Sequence, residues 1–228
     1  MDDNDDALKI KAEEITAEII QQTNKSDETA LQIMDNLYSF GESIVERTET
    51  KGNLTKNIKC SKGCSYCCYA QVSVTPPEAI FIGNYLNENY SLSQTDQLLK
   101  HIRHNISLTD GKSLEERVLV WEQTPCIFLF DGVCSIHPVR PFICRAWHSL
   151  SVTQCKDAFD SRKEDAEIDS YPYRNYILGT IRDGMSEVLN NMGCESEPVE
   201  ISIAIKAILN HPSPEQSWIN GEKIFPNS

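Results

Sequence analysis

Cys60-Ser-Lys-Gly-Cys64-Ser-Tyr-Cys67-Cys68 interrupts a chain whose flanking segments carry a helical pattern, and a second set of cysteines follows at Cys126, Cys134, Cys144 and Cys155. Eight of the nine cysteines therefore lie between residues 60 and 155. Thiols this dense oxidise and cross-link unless something holds them, so the stretch points to a metal ion or an iron–sulfur centre.

Upstream of it, Leu8, Ala12, Ile15 and Ile19 fall on one helical face. After a polar break at residues 23–27, Leu31, Met34, Leu37, Tyr38, Ile44 and Val45 repeat that spacing. The two runs predict an antiparallel helical hairpin, frayed over residues 1–6 and ended by Lys51-Gly-Asn53.

Downstream, residues 71–75 read as a short extended piece. Thr75-Pro-Pro-Glu78 then combines a capping threonine, proline in the first turn and glutamate three residues on, which opens a helix to about Asn87. A further helix from Ser93 buries Leu98, Leu99, Ile102 and Ile106, and Ser113-Leu-Glu-Glu116 starts a short one. Ile127–Phe130 and Val133–Ile136 meet across Asp131-Gly132, a favoured two-residue hairpin turn. In a regular hairpin Cys126 and Cys134 face opposite sides. Either the hairpin is kinked at Cys134, or the two cysteines serve different centres. Tyr173, Tyr176, Ile177, Ile181, Val188 and Met192 predict a long helix stopped by Asn191-Met-Gly193, and residues 198–209 a last one ended by His211-Pro212.

The expected fold class is mainly α: a helical scaffold with a cysteine-rich irregular metal-binding insert and one short β-hairpin. Three regions, 1–57, 58–160 and 161–228, are expected to form one compact domain.

Composition narrows the function classes. The 228 residues include 21 lysines and arginines against 34 acidic residues, a net charge of −13. That field repels a phosphate backbone and argues against bulk nucleic-acid binding. The acidic start, Met1 to Asp6, is no secretory signal, and no run reaches the roughly 18–20 apolar residues that span a bilayer. A cytoplasmic location with no membrane partner is the expectation, and with an odd cysteine total it favours metal binding over disulfides.

The spacings leave the type of centre open. Cys64 and Cys67 have the two-residue spacer of a metal knuckle, Cys60 lies one residue further back, and Cys68 adjoins Cys67. Neighbouring side chains diverge, so this adjacency suggests two metals, a polynuclear cluster or one non-ligand cysteine. Eight thiolates suit two four-thiolate sites or one such site with four others, and zinc and a 4Fe–4S cluster are both compatible with thiolate ligands.

Arg140 and Arg145 flank Cys144, where they can donate to sulfur or pair with a carboxylate; solvated surface arginines are the plainer alternative. His137 and His148 lie near the cysteines and are expected to support the ligands rather than join them. His101 and His104 read as solvated, His211 as a partner of helix-end carbonyls, and Cys194 as an ordinary packed thiol. Trp121, Trp147 and Trp218 read as core or lid aromatics, and Glu164-Asp-Ala-Glu167 as a solvated helix face. No triad, phosphate loop or carboxylate pair is present, so any catalytic role would rest on the centre itself.

Cys60-x3-Cys64-x2-Cys67-Cys68, Cys126 and Cys134-Ser-Ile-His-Pro-Val-Arg140-Pro141-x-x-Cys144-Arg145 together resemble the CxxCxxCC-type (YkgJ-like) cysteine-cluster family. The resemblance runs from about Ile58 to Cys155 and implies a zinc- or iron-chelating domain. His137 and Ile127 depart from residues common in the family, but neither removes a thiol. A similar cysteine pattern in flagellin-lysine methylases makes an iron–sulfur enzyme the alternative function, by analogy. A further alternative lies in Cys60-x3-Cys64-x-Tyr66-Cys67, which matches the radical SAM signature. That chemistry requires a strand–helix series forming a partial barrel, and the pattern here is helical. The leading expectation is a metal-binding protein with all eight cysteines as candidate ligands, a metal ion as its partner, and no assigned protein partner.

Overall fold

The computed structural model describes residues 2–162 and 166–226. Helix α1 (Asp2–Thr23) folds back on α2 (Thr29–Gly52), the hairpin that the apolar spacing predicts. It begins at Asp2 rather than at Leu8. The turn between them puts Asn24 and Lys25 at φ 50° and 58°. The start of α2 borrows a cap from the far end of the chain: the Ala30 amide donates to Glu215 Oε1 at 2.8 Å. Glu215 thus satisfies one of the donors a helix leaves unpaired in its first turn.

Ten α-helices and two small two-stranded sheets make up the described residues, which is a mainly α fold. Helix α8 (Pro172–Asn191) packs along both α1 and α2. Close approach to α1 depends on Gly184, because a Cβ there would lie 2.7 Å from the Lys9 carbonyl oxygen. Helix α3 (Pro76–Asn89) lies between α2 and α9 (Ile201–Asn210), and α4 (Leu92–Thr109) closes over α9. Ile33, Leu37, Ile82, Ile102, Phe128, Phe142 and Trp218 are fully buried in the resulting core. Burial of a side chain of this kind contributes about 1.5–3 kcal/mol.

Helix α4 starts two residues earlier than expected, since Ser91 and Gln94 form the capping box in place of Ser93. The short helix α5 (Leu114–Val118) follows Ser113 as predicted. Strand β1 (Ser73–Val74) pairs antiparallel with β4 (Val199–Glu200), in the register Ser73↔Glu200 and Val74↔Val199. This long-range pair sets the exit of the first cysteine stretch beside the entry to α9. A last helix, α10 (Pro214–Ile219), follows the expected end of regular structure at His211-Pro212 and buries Trp218, whose Nε1 donates to the Glu195 carbonyl at 2.8 Å.

The hairpin keeps its predicted turn but is far shorter than expected. Strands β2 (Leu129–Phe130) and β3 (Val133–Cys134) pair Leu129 with Cys134 and Phe130 with Val133, and Asp131 and Gly132 both take positive φ. Before β2 the chain turns, with the Leu129 amide donating to the Cys126 carbonyl at 2.9 Å. Cys126 therefore leaves the strand alternation. The distortion lies at the Cys126 end and not at Cys134. Of the acidic run Glu164–Glu167, Glu164 and Asp165 lie outside the described residues; Glu167 is exposed and not helical.

Candidate metal centre

The first cysteine stretch is sewn onto the second by backbone bonds. Lys59 N donates to the Ser149 carbonyl at 2.9 Å, and the Ser149 amide returns a bond to Cys60 Sγ at 3.3 Å. Further along, the Cys126 amide donates to the Cys68 carbonyl at 2.7 Å. Helix α7 (Val152–Ser161), which carries Cys155, packs on the 3-10 turn Tyr66–Tyr69 through Phe159. That ring lies 5.8 Å from Tyr66 and 4.8 Å from Tyr69, with Trp121 stacked on it at 5.4 Å.

The thiols fall into two electrically coupled groups that share Cys67. Cys60 and Cys64 are pushed up by burial and then by each other's neighbourhood, Cys67 and Cys155 acting on both. Cys144 is pushed up by burial, then by Cys126, Cys67 and Cys134. Burial also raises Cys134, and it takes Cys126 up to about 12. Cys67 is raised first by a hydrogen bond with the Cys68 thiol and then by burial.

The wall of this region is rich in N–H groups. The backbone amides of Tyr66, Phe128 and Ile136 act on the thiols two residues earlier, at Cys64, Cys126 and Cys134, and each favours the thiolate. Arg140 Nε is buried with no partner among the described residues. Neutral thiols leave such donors poorly used, whereas metal-bound thiolates accept from them. The donor set thus fits a thiolate-bound cation. Among the described residues, no three Cys, His, Asp or Glu side chains are gathered tightly enough to hold an ion. The structure therefore brings the two cysteine stretches side by side without gathering their sulfurs around one point.

Arg145 is no surface arginine. It is buried, pairs with Glu42, and donates to the carbonyls of Pro138 at 2.6 Å and Arg140 at 2.7 Å, with its guanidinium 3.8 Å above the Tyr38 ring. These bonds hold the turn that precedes α6 (Phe142–Ala146), the short helix that carries Cys144. Glu78 holds the same helix from the other side, because Oε1 accepts the Phe142 amide at 2.7 Å while Oε2 accepts the Thr75 amide and hydroxyl, each at 2.8 Å. Neither acidic residue, Glu42 or Glu78, was singled out in the sequence for this task. Only the capping position of Glu78 hinted at it.

Both nitrogens of His148 are engaged, Nδ1 with the Ala146 carbonyl at 3.0 Å and Nε2 as acceptor of the Tyr171 amide at 3.0 Å. That makes it a neutral brace beside Cys144, and burial lowers its pKa accordingly. His137 is exposed. His101 stacks on Phe130 at 5.3 Å, and His104 Nε2 lies 3.0 Å from the Gln123 carbonyl oxygen, so these exposed rings are not merely solvated. His211 accepts the Ser213 amide through Nδ1 at 3.1 Å instead of bonding helix-end carbonyls. Cys194 is buried away from the group, its Sγ 3.8 Å from the Ile219 carbonyl oxygen. A cavity of about 220 Å³ adjoins Cys126, with Trp121, Trp147, Arg117 and Glu200 among its walls.

No helix among the described residues is long and apolar enough to cross a membrane. No match was found among curated proteins or among solved structures. Residues 59–168 match the model of the CxxCxxCC family, described as a "putative zinc- or iron-chelating domain".

Proposed function

We propose that this protein binds zinc or an iron–sulfur cluster through Cys60, Cys64, Cys67, Cys68, Cys126, Cys134, Cys144 and Cys155, and that the centre ties its two cysteine-bearing loops to the helical scaffold. The observation that carries this reading is the bonding of the two cysteine stretches to each other, the Ser149 amide donating to Cys60 Sγ at 3.3 Å and the Cys126 amide to the Cys68 carbonyl at 2.7 Å. Six of the eight have raised pKa values, and mutual repulsion is among the causes, so a cation in their midst removes a cost that the protein otherwise carries. A cytoplasmic location, where such thiols stay reduced, accords with this role.

One observation favours a second reading. Cys126 borders a cavity, and a ligand-accessible side to an iron–sulfur centre is what an enzyme related to the flagellin-lysine methylases would need. Radical SAM chemistry finds less support. The strands among the described residues are two residues long and form no barrel series, and Tyr66 packs against Phe159.

The test is metal and sulfide analysis, with an absorption spectrum, of anaerobically purified protein. Stoichiometric zinc in a colourless sample supports the structural role; iron with inorganic sulfide in a brown sample supports a cluster. Cys64→Ser and Cys144→Ser should each lower metal content, while Cys194→Ser should leave it unchanged. Metal-free parent protein, or full metal content in both ligand variants, refutes the assignment.

A further inference from the structure

The two arginines that flank Cys144 have separate tasks. Arg145 is spent on protein partners: a carboxylate, two carbonyls and an aromatic face. Arg140 is not. Its backbone is pinned, since its carbonyl accepts from Arg145 Nε at 2.7 Å and Pro141 follows it. Its side chain is half-buried, Nε meets no acceptor, and no carboxylate pairs with it among the described residues. Glu42, an acidic side chain whose charge acts on it, is already paired with Arg145. A guanidinium sheltered from water without a counter-charge is unfavourable. The remaining groups whose charge acts on it, Arg145 apart, are the thiols of Cys144 and Cys134, and Arg140 acts in turn on Cys67 and His137.

We infer that Arg140 is the counter-charge and N–H donor of the Cys134 and Cys144 side of the centre, a positioning residue that steadies bound thiolates there without touching the metal. This rests on the metal-binding reading above and deepens it. The physical reason is charge: four thiolates on a divalent ion leave a net −2, and a buried guanidinium with an unused N–H is suited to offset it. Arg140 is not among the leading charges acting on Cys60 and Cys64, so the effect should be largest on the Cys134 and Cys144 side of the centre. Supporting residues of this kind typically change metal affinity about 10- to 100-fold.

The experiment is chelator competition on the metal-loaded full chain, with metal content measured first. Arg140→Met keeps an apolar stem of similar reach and removes charge and donor; Arg140→Lys restores the charge and one donor. Arg140→Met should release part of its metal to EDTA at a roughly 10- to 100-fold lower chelator concentration than the parent, and Arg140→Lys should recover much of that loss. A Lys variant as weak as the Met variant, or a Met variant equal to the parent, overturns the inference. If the parent itself carries no metal, it is the underlying reading that fails.

Discussion

Replacing Glu78 by alanine is expected to unfold the bridge between the helical scaffold and the cysteine loop, at a cost that can be worked out. The carboxylate is 1% exposed and accepts two backbone amides, Thr75 N and Phe142 N, from residues that are themselves 1% exposed. Alanine leaves both N–H groups buried without an acceptor, and each such orphan costs about 1–3 kcal/mol. The sum is about 2–6 kcal/mol, reduced somewhat because burial disfavours the ionised carboxylate in the first place. Glutamine keeps one acceptor oxygen and turns an amino group toward the other site, so it should cost about half as much. Urea denaturation at fixed metal content measures both, provided that unfolding is two-state. Because the Phe142 amide opens the helix that carries Cys144, the alanine variant should also hold less metal. An alanine variant within about 1 kcal/mol of the parent, or a glutamine variant less stable than the alanine one, would refute the hub assigned to Glu78.

Two glycines of α8 should respond in opposite directions. Gly184→Ala should destabilise by about 1–3 kcal/mol less its helical gain, because the new Cβ would sit 2.7 Å from the Lys9 carbonyl oxygen. Gly179→Ala meets nothing within 4 Å and should stabilise by about 0.5–1 kcal/mol, so thermal melts of the pair check the α1–α8 approach. Burial takes Glu215 from 4.5 up to about 7. The native protein then keeps a proton that the unfolded chain has shed, so this residue makes stability fall as pH rises from about 4.5 to 7. Glu215→Gln keeps the acceptor for the Ala30 amide and should remove that part of the slope, seen as the difference between parent and variant denaturation curves across the window. An unchanged slope would show that the carboxyl is ionised throughout.

Much of the scaffold was legible because its signals are local. Apolar spacing located α1, α2 and α8, and the capping boxes at Thr75 and Ser113 marked helix starts, since both depend on residues within a turn or two of each other. Asp131-Gly132 specified the hairpin turn for the same reason. Its length was not legible, because a polar backbone bond at Cys126, made inside the loop, overrides strand alternation there. The β1–β4 pair, between residues more than a hundred apart, left no local trace either.

The sequence by itself determined the chemistry: eight thiols at knuckle-like spacings on a mainly helical chain, with two arginines beside Cys144. Tertiary structure alone decided how they are shared out. The Ser149–Cys60 bond, the seat of Phe159 on the Tyr66–Tyr69 turn and the Glu78–Phe142 bond draw cysteines from separate loops into two groups. They also commit Arg145 to protein and leave Arg140 Nε buried without an acceptor among the described residues. Spacing along a chain reports which atoms can bind, but the distance between loops and the pairing of buried charges depend on contacts between residues far apart in sequence, which only packing sets.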